Sequence, residues 1–122
     1  MTTELAAVYR RAMEVIKTNG WCQGNFFESG QGVRPADCPV CAAGALGVAV
    51  AGDPFVIDNR PLLLDAERFL SEHVGPCPAD LDADPDPVDV IATWNDDPFR
   101  TVDHVLAVLE RAAVAAESGG AA

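Results

Sequence analysis

Positive charge is what this sequence has least of. Its 122 residues hold 8 Lys and Arg against 19 Asp and Glu, a formal net charge of −11, and Lys17 is the single lysine. Such a surface repels phosphate backbones, which excludes a basic nucleic-acid footprint and polybasic anchoring on an anionic membrane. Long hydrophobic runs are missing too. The longest uncharged, mainly apolar stretch, Cys38–Gly52, has 15 residues, short of the roughly 20 that span a bilayer. The opening residues MTTELAAVYRRAMEVIK carry charges where a signal peptide needs an apolar segment, so a cytoplasmic location is the expectation. There is no Gly-rich phosphate loop, no dinucleotide-binding fingerprint and no paired Glu-x-x-His metal motif. What is present is a chain that is 49% hydrophobic, a globular composition at a length that fits one domain.

The charge is uneven. Residues 1–74 hold 6 basic and 9 acidic groups, a net of −3, and residues 75–122 hold 2 and 10, a net of −8. No Lys or Arg falls between Arg68 and Arg100, a gap that contains Asp80, Asp82, Asp84, Asp86, Asp89, Asp96 and Asp97. The simplest reading is a solvated acidic connector. Asp82, Asp84 and Asp86 match the first ligands of a calcium loop, but Pro87 and Thr93 stand where the sharp-turn Gly and the bidentate Glu belong, which rejects it.

Hydrophobic periodicity predicts helices. Residues 3–18 place Leu5, Val8, Tyr9, Ala12, Met13 and Ile16 on one face, with Thr3 as cap and Asn19-Gly20 as stop. Residues 21–37 read as a long loop. Residues 39–51 are apolar all round and predict the buried central helix, with Pro39 at its first position and Cys38 or Asp37 as cap. A strand over residues 46–51 is the competing assignment. Residues 60–74 put Leu62, Leu63, Ala66, Phe69, Leu70 and Val74 inward, capped by Asp58 or Asn59 and ended by Gly75-Pro76. A Pro/Asp-rich connector spans residues 76–87. Asp86-Pro87 opens a short helix to Trp94, and Thr101 caps a last helix with Val102, Val105, Leu106, Leu109 and Ala113 inward. The expected fold is an all-α bundle of four to five helices with long ordered loops. It forms one domain over residues 1–117, with a flexible tail at 118–122.

Chemistry concentrates on the four cysteines, Cys22, Cys38, Cys41 and Cys77. Cys38-Pro39-Val40-Cys41 is a knuckle that aims two sulfurs at one point. With Cys22 and Cys77 it would supply the four thiolates of a structural zinc site. Buried thiols in a reducing compartment are the plain alternative, and a redox dithiol at Cys38/Cys41 is another. If Pro39 opens the central helix, Cys41 lies in its first turn, where the helix dipole favours a thiolate. A nucleophile there would need His73 or His104 as base, Gln23 as oxyanion donor, and Asn95 or Asp96 as orienting group.

Three stretches also occur in a familiar order: Gly20-Trp21-Cys22-Gln23-Gly24, Cys41-Ala42-Ala43-Gly44-Ala45-Leu46, and Trp94-Asn95-Asp96-Asp97-Pro98 leading to Arg100-Thr101. Over roughly residues 5–113 the chain resembles a family of small bacterial and phage proteins, common in actinobacteria, of unknown function. The resemblance implies no activity or cofactor, but it marks Trp21, Gln23, Gly24, Cys41, Gly44, Asn95 and Asp96. The chain departs from the pattern at Phe99, where the family has glycine, and at Cys38, which completes the knuckle.

All three motifs fall in loops or at helix ends, which could converge on one side of a bundle. The expectation is a ligand pocket formed by Trp21, Gln23, Cys41, Trp94, Asn95 and Asp96, with the two tryptophans over the cysteine. The function expected is a binding or accessory module for a protein or small-molecule partner. The alternatives are a Cys41-dependent thiol hydrolase or transferase, a zinc-stabilised adaptor on the four cysteines, and an acidic inhibitor that mimics nucleic acid.

Overall fold

The computed structural model describes residues 2–56, 60–74 and 86–119. Among them are five α-helices, namely α1 (Thr2–Asn19), α2 (Ala42–Ala51), α3 (Pro61–Ser71), α4 (Pro87–Asn95) and α5 (Val102–Gly119), with a single 3-10 turn at Pro35–Asp37. The all-α expectation holds. The longest helices, α1 and α5, pack along each other, and α2 lies against α1, α3 and α4. Among the described residues no helix is long and apolar enough to cross a membrane.

Each helix buries the face its periodicity marks. Val8, Tyr9, Ala12 and Ile16 of α1 are buried against a core that includes Val105, Val108, Leu109 and Ala112 of α5. Leu63, Ala66 and Leu70 are the buried stripe of α3. The Tyr9 hydroxyl donates to the Ala66 carbonyl at 2.7 Å, which joins α1 to α3 inside the core. Burial and the nearby Glu72 raise the pKa of that phenol, so it stays a neutral donor. Val102 departs from the expected inward face of α5 and is exposed. Arg10 reaches across to Glu110 and Glu117, both at 2.9 Å, on the exposed side of the α1–α5 pair.

The helix ends show where local rules succeed and where tertiary contacts override them. Asp86 caps α4 through its side chain, which accepts from Val88 N, and Pro87 takes the first position. Thr101 caps α5 reciprocally with His104: Oγ1 accepts from His104 N at 3.3 Å, and His104 Nδ1 accepts from Thr101 N at 3.1 Å. Thr3, by contrast, lies inside α1. The central helix begins at Ala42 rather than Pro39, and Cys41 is its cap. The reason is nonlocal. Val40 N donates to Gly20 O at 3.1 Å, Val40 O accepts from Cys22 N at 3.0 Å, and Pro39 O accepts from Glu28 N at 2.9 Å. Those bridges hold residues 39–40 extended, so the segment is helical only beyond them. Residues 46–51 are helix, not strand. The cap of α3 is Arg60. The alternatives Asp58 and Asn59, the end signal Gly75-Pro76 and most of the acidic connector lie outside the described residues.

α2 tolerates this crowding because of two glycines. A Cβ on Gly44 would sit 2.1 Å from the Phe26 carbonyl oxygen, and one on Gly47 would sit 2.6 Å from the Asp53 carbonyl oxygen. The Phe26 carbonyl also accepts from Cys41 N at 3.1 Å, so it is tethered where Gly44 needs it to be. Gly44→Ala must displace this loop or the helix. It should lower unfolding stability by about 1–3 kcal/mol, as overpacking does. The measurement is the urea midpoint at unchanged slope, and an unshifted midpoint would refute the close approach.

Candidate functional site

The three sequence motifs meet around one side chain. Asn95, the last residue of α4, is fully buried, and apart from the Tyr9 hydroxyl and the thiols it is the single buried polar side chain among the described residues. Its Oδ1 accepts from the Trp21 indole Nε1 at 2.7 Å and from Ala42 N at 3.0 Å. Its Nδ2 donates to Cys22 O at 3.1 Å and to Asp96 Oδ1 at 3.0 Å. All four hydrogen-bonding positions of the amide are therefore used. The surrounding groups continue the network. Gln23 Nε2 donates to the carbonyls of Asn95 and Asp97, each at 2.9 Å, and Asp96 Oδ1 accepts from Gly24 N at 2.9 Å. Among the described residues no buried side-chain polar atom lacks a partner.

Cys41 sits beside this knot. Its Sγ accepts from Gly44 N at 3.3 Å, so the thiol caps α2. It is 4% exposed. Burial raises its pKa, outweighing the hydrogen bonds from Gly44 and Ala43 that act in the other direction. This corrects the sequence expectation of a dipole-activated thiolate. The thiol is at the cap, and desolvation dominates. Cys22 is affected in the same sense, its pKa pushed up to about 11 by burial first and then by Cys41, Glu28 and Asp96. Cys38 Sγ turns to the Arg34 carbonyl at 3.3 Å. Cys22, Cys38 and Cys41 are free thiols. Among the described residues no group of three or more His, Cys, Asp or Glu is arranged to hold a metal ion. Cys77, the fourth ligand of the zinc reading, lies outside the described residues.

The groups invoked as base and oxyanion donor have other hydrogen-bond partners. His73 Nδ1 meets the Phe69 carbonyl at 2.9 Å at the end of α3, His104 is committed to the α5 cap, and the Gln23 amide is taken by two carbonyls. A hollow of about 230 Å³ does open over Cys41, lined by Gly24, Asn25, Phe26, Cys41, Ala92 and Asp96. Cys41 and Asp96 of the expected set border it. Trp21, Gln23 and Asn95 do not line it, and their side chains bond one another or backbone groups. Trp94 lies against Arg100, whose guanidinium carbon is 4.1 Å from the ring centroid while Nε donates to the Trp94 carbonyl.

Fold and site together define a small all-α domain whose three motifs, in a loop and at helix ends, are tied by one buried amide. The chain belongs to the family of unknown function DUF6197, whose model matches residues 1–115. No curated protein and no solved structure matches the chain significantly.

Sequence reasoning missed Phe26, Phe55 and Glu67. Phe26 walls the Cys41 hollow and also borders a second one of about 260 Å³ that contains Phe55, Glu67, Asp86 and Asp89. Burial, reinforced by Asp86, pushes the Glu67 carboxyl up to about 7. The charge pattern around Asp86 was the available signal, but the inward turn of Glu67 depends on α3 packing against α4.

Two predictions follow from these geometries. Asn95→Ala strands the Trp21 indole, Ala42 N and Cys22 O together, so stability should fall by about 2–4 kcal/mol. A loss below about 1 kcal/mol in urea unfolding would show that the knot is dispensable. For Glu67, the folded pKa of about 7 lies above the ordinary 4.5, so the folded chain holds this proton more tightly than the unfolded chain. Its contribution is fully present below the ordinary value and is lost as pH rises through that window. Glu67→Gln should therefore flatten the decline of stability between these two pH values. Parallel pH profiles for wild type and variant would refute the assignment.

Proposed function

We propose that this chain is a binding module whose ligand-facing site is the hollow over Cys41, and that Cys41 serves it as a structural cap rather than as a nucleophile. The observation that carries this reading is the Asn95 network. A fully satisfied buried amide fixes Gly24, Ala42 and Asp96 relative to one another, which is the preorganisation a binding site needs. The Asp96 carboxylate uses Oδ1 for its internal bonds yet stays exposed at the rim. Phe26, Ala92 and the Cys41 thiol supply apolar wall beside it. A ligand with a hydrogen-bond donor or cation next to an apolar group suits such a lining. The raised thiol pKa and the commitment of both histidines elsewhere favour this reading over a thiol hydrolase or transferase.

Chemical-shift mapping with benzamidine, benzamide and phenylacetate tests it. Benzamidine should shift the backbone amides of Gly24, Asn25, Phe26 and Asp96, benzamide should do so more weakly, and phenylacetate should leave them unmoved. Shifts scattered over the surface, or none at about 5 mM probe, a range suited to weak fragments, would sink the proposal.

A further inference from the structure

The hollow over Cys41 belongs to a strip of three hollows that are joined at Phe26, which lines each of them. It shares Asn25 and Phe26 with a hollow of about 420 Å³ that includes Glu28 and Phe55. That hollow shares Phe26 and Phe55 with the one that contains Glu67, Asp86 and Asp89. Phe26 and Phe55 meet edge to face at the junction, with ring centroids 5.3 Å apart, and Phe55 is 53% exposed despite its size. Asp96, Glu28, Glu67, Asp86 and Asp89 border the strip, and among the described residues no Lys or Arg lines any of its three parts. None of the four ion pairs among the described residues involves these five carboxylates.

We propose that this strip is a docking groove for an extended basic segment of a partner protein, its Arg and Lys heads meeting the carboxylates and its apolar atoms lying on the Phe26–Phe55 pair. The inference deepens the binding-module reading and rests on it. Charge complementarity selects the occupant, since five carboxylates without a lining cation repel nucleic acid, anionic lipid and acidic peptides alike. The shape selects an extended chain. Several shallow hollows that share aromatic walls take successive side chains of a strand-like peptide, whereas a compact ligand calls for one deep pocket. Arginine suits the junction because its guanidinium stacks on an aromatic face while it bonds a carboxylate. The raised proton affinity of Glu67 beside Asp86 is the electrostatic sign of a site that gains from an incoming cation.

The test is fluorescence anisotropy with a labelled peptide of about nine alternating arginine and alanine residues, long enough when extended to cross several hollows. It is run at about 150 mM salt, which screens remote charges. Glu28→Gln with Asp89→Asn should weaken binding by about tenfold, while Glu4→Gln with Glu14→Gln, an equal charge change on α1, should alter it less than about twofold. Phe55→Ala, at unchanged charge, should weaken binding by about threefold or more. Circular dichroism confirms that each variant is folded. Equal losses in the two charge pairs, displacement by spermine at the same affinity as the peptide, or no binding at about 1 mM peptide would each overturn the groove. Benzamidine shifts at the Cys41 hollow without peptide binding refute the groove alone. Failure of both probes removes the site reading as well.

Discussion

A primary amide at zero exposure has two N–H groups and two carbonyl lone pairs to satisfy, and each one left without a partner costs about 1–3 kcal/mol. Asn95 satisfies all of them with groups from three separate segments: the indole of Trp21 and the carbonyl of Cys22, the first backbone N–H of α2, and the neighbouring Asp96. None of those partners is close to it in sequence apart from Asp96. The knot therefore closes only when the loop after α1, the start of α2 and the end of α4 are all in place, and it holds them once they are. Around it the same segments exchange further bonds, through Gln23 to two carbonyls and through Gly24 N to Asp96. The hollow over Cys41 is the outer face of that arrangement, and its walls inherit the fixed positions.

Helical periodicity is a local signal, and where burial follows period the sequence was enough. The inward faces of α1 and α3, the Asp86-Pro87 opening of α4 and the Thr101 cap of α5 all appear as the residues indicate. The central helix shows the limit. Pro39 is well suited to a first helical position, yet the backbone at residues 39–40 is engaged by Gly20, Cys22 and Glu28. A bond made across 11 or more residues leaves no trace in local propensity, so the displacement of the start to Ala42 was not legible. Gly44 was legible as a motif position, but its neighbour, the Phe26 carbonyl, was not.

The site divides in the same manner. Trp21, Gln23, Cys41, Asn95 and Asp96 were all visible as motif residues at helix ends, and the structure gathers them in one region. Their division of labour was not visible. Asn95 turns inward, Gln23 stays exposed and bonds two backbone carbonyls, and Asp96 and Cys41 border the hollow. Phe26 and Phe55 lie in loops without a period to mark them. Their juxtaposition follows from the tether of Phe26 to Cys41 N and from the packing of the Asp53-Pro54 turn on Gly47.

Cys41 shows why helix position alone is a poor guide to thiol reactivity. A helix N-terminus favours an anion by about 0.3–1 kcal/mol at an exposed site, rising to about 2 in partly buried geometries. The same location can remove the thiol from water, and desolvation shifts a buried group by up to several pKa units in the opposite direction. With Cys41 only 4% exposed, the second effect is the larger, and the pKa rises despite the Gly44 N–H aimed at the sulfur. A serine would cap the amides more strongly, but its hydroxyl would have to find further partners in an apolar setting among Val40, Ala42 and Ala45, all unexposed. Sulfur satisfies one backbone N–H and otherwise packs as a small hydrophobe. Burial of the cap thus accounts for the choice of cysteine at this position and for the raised pKa of its thiol.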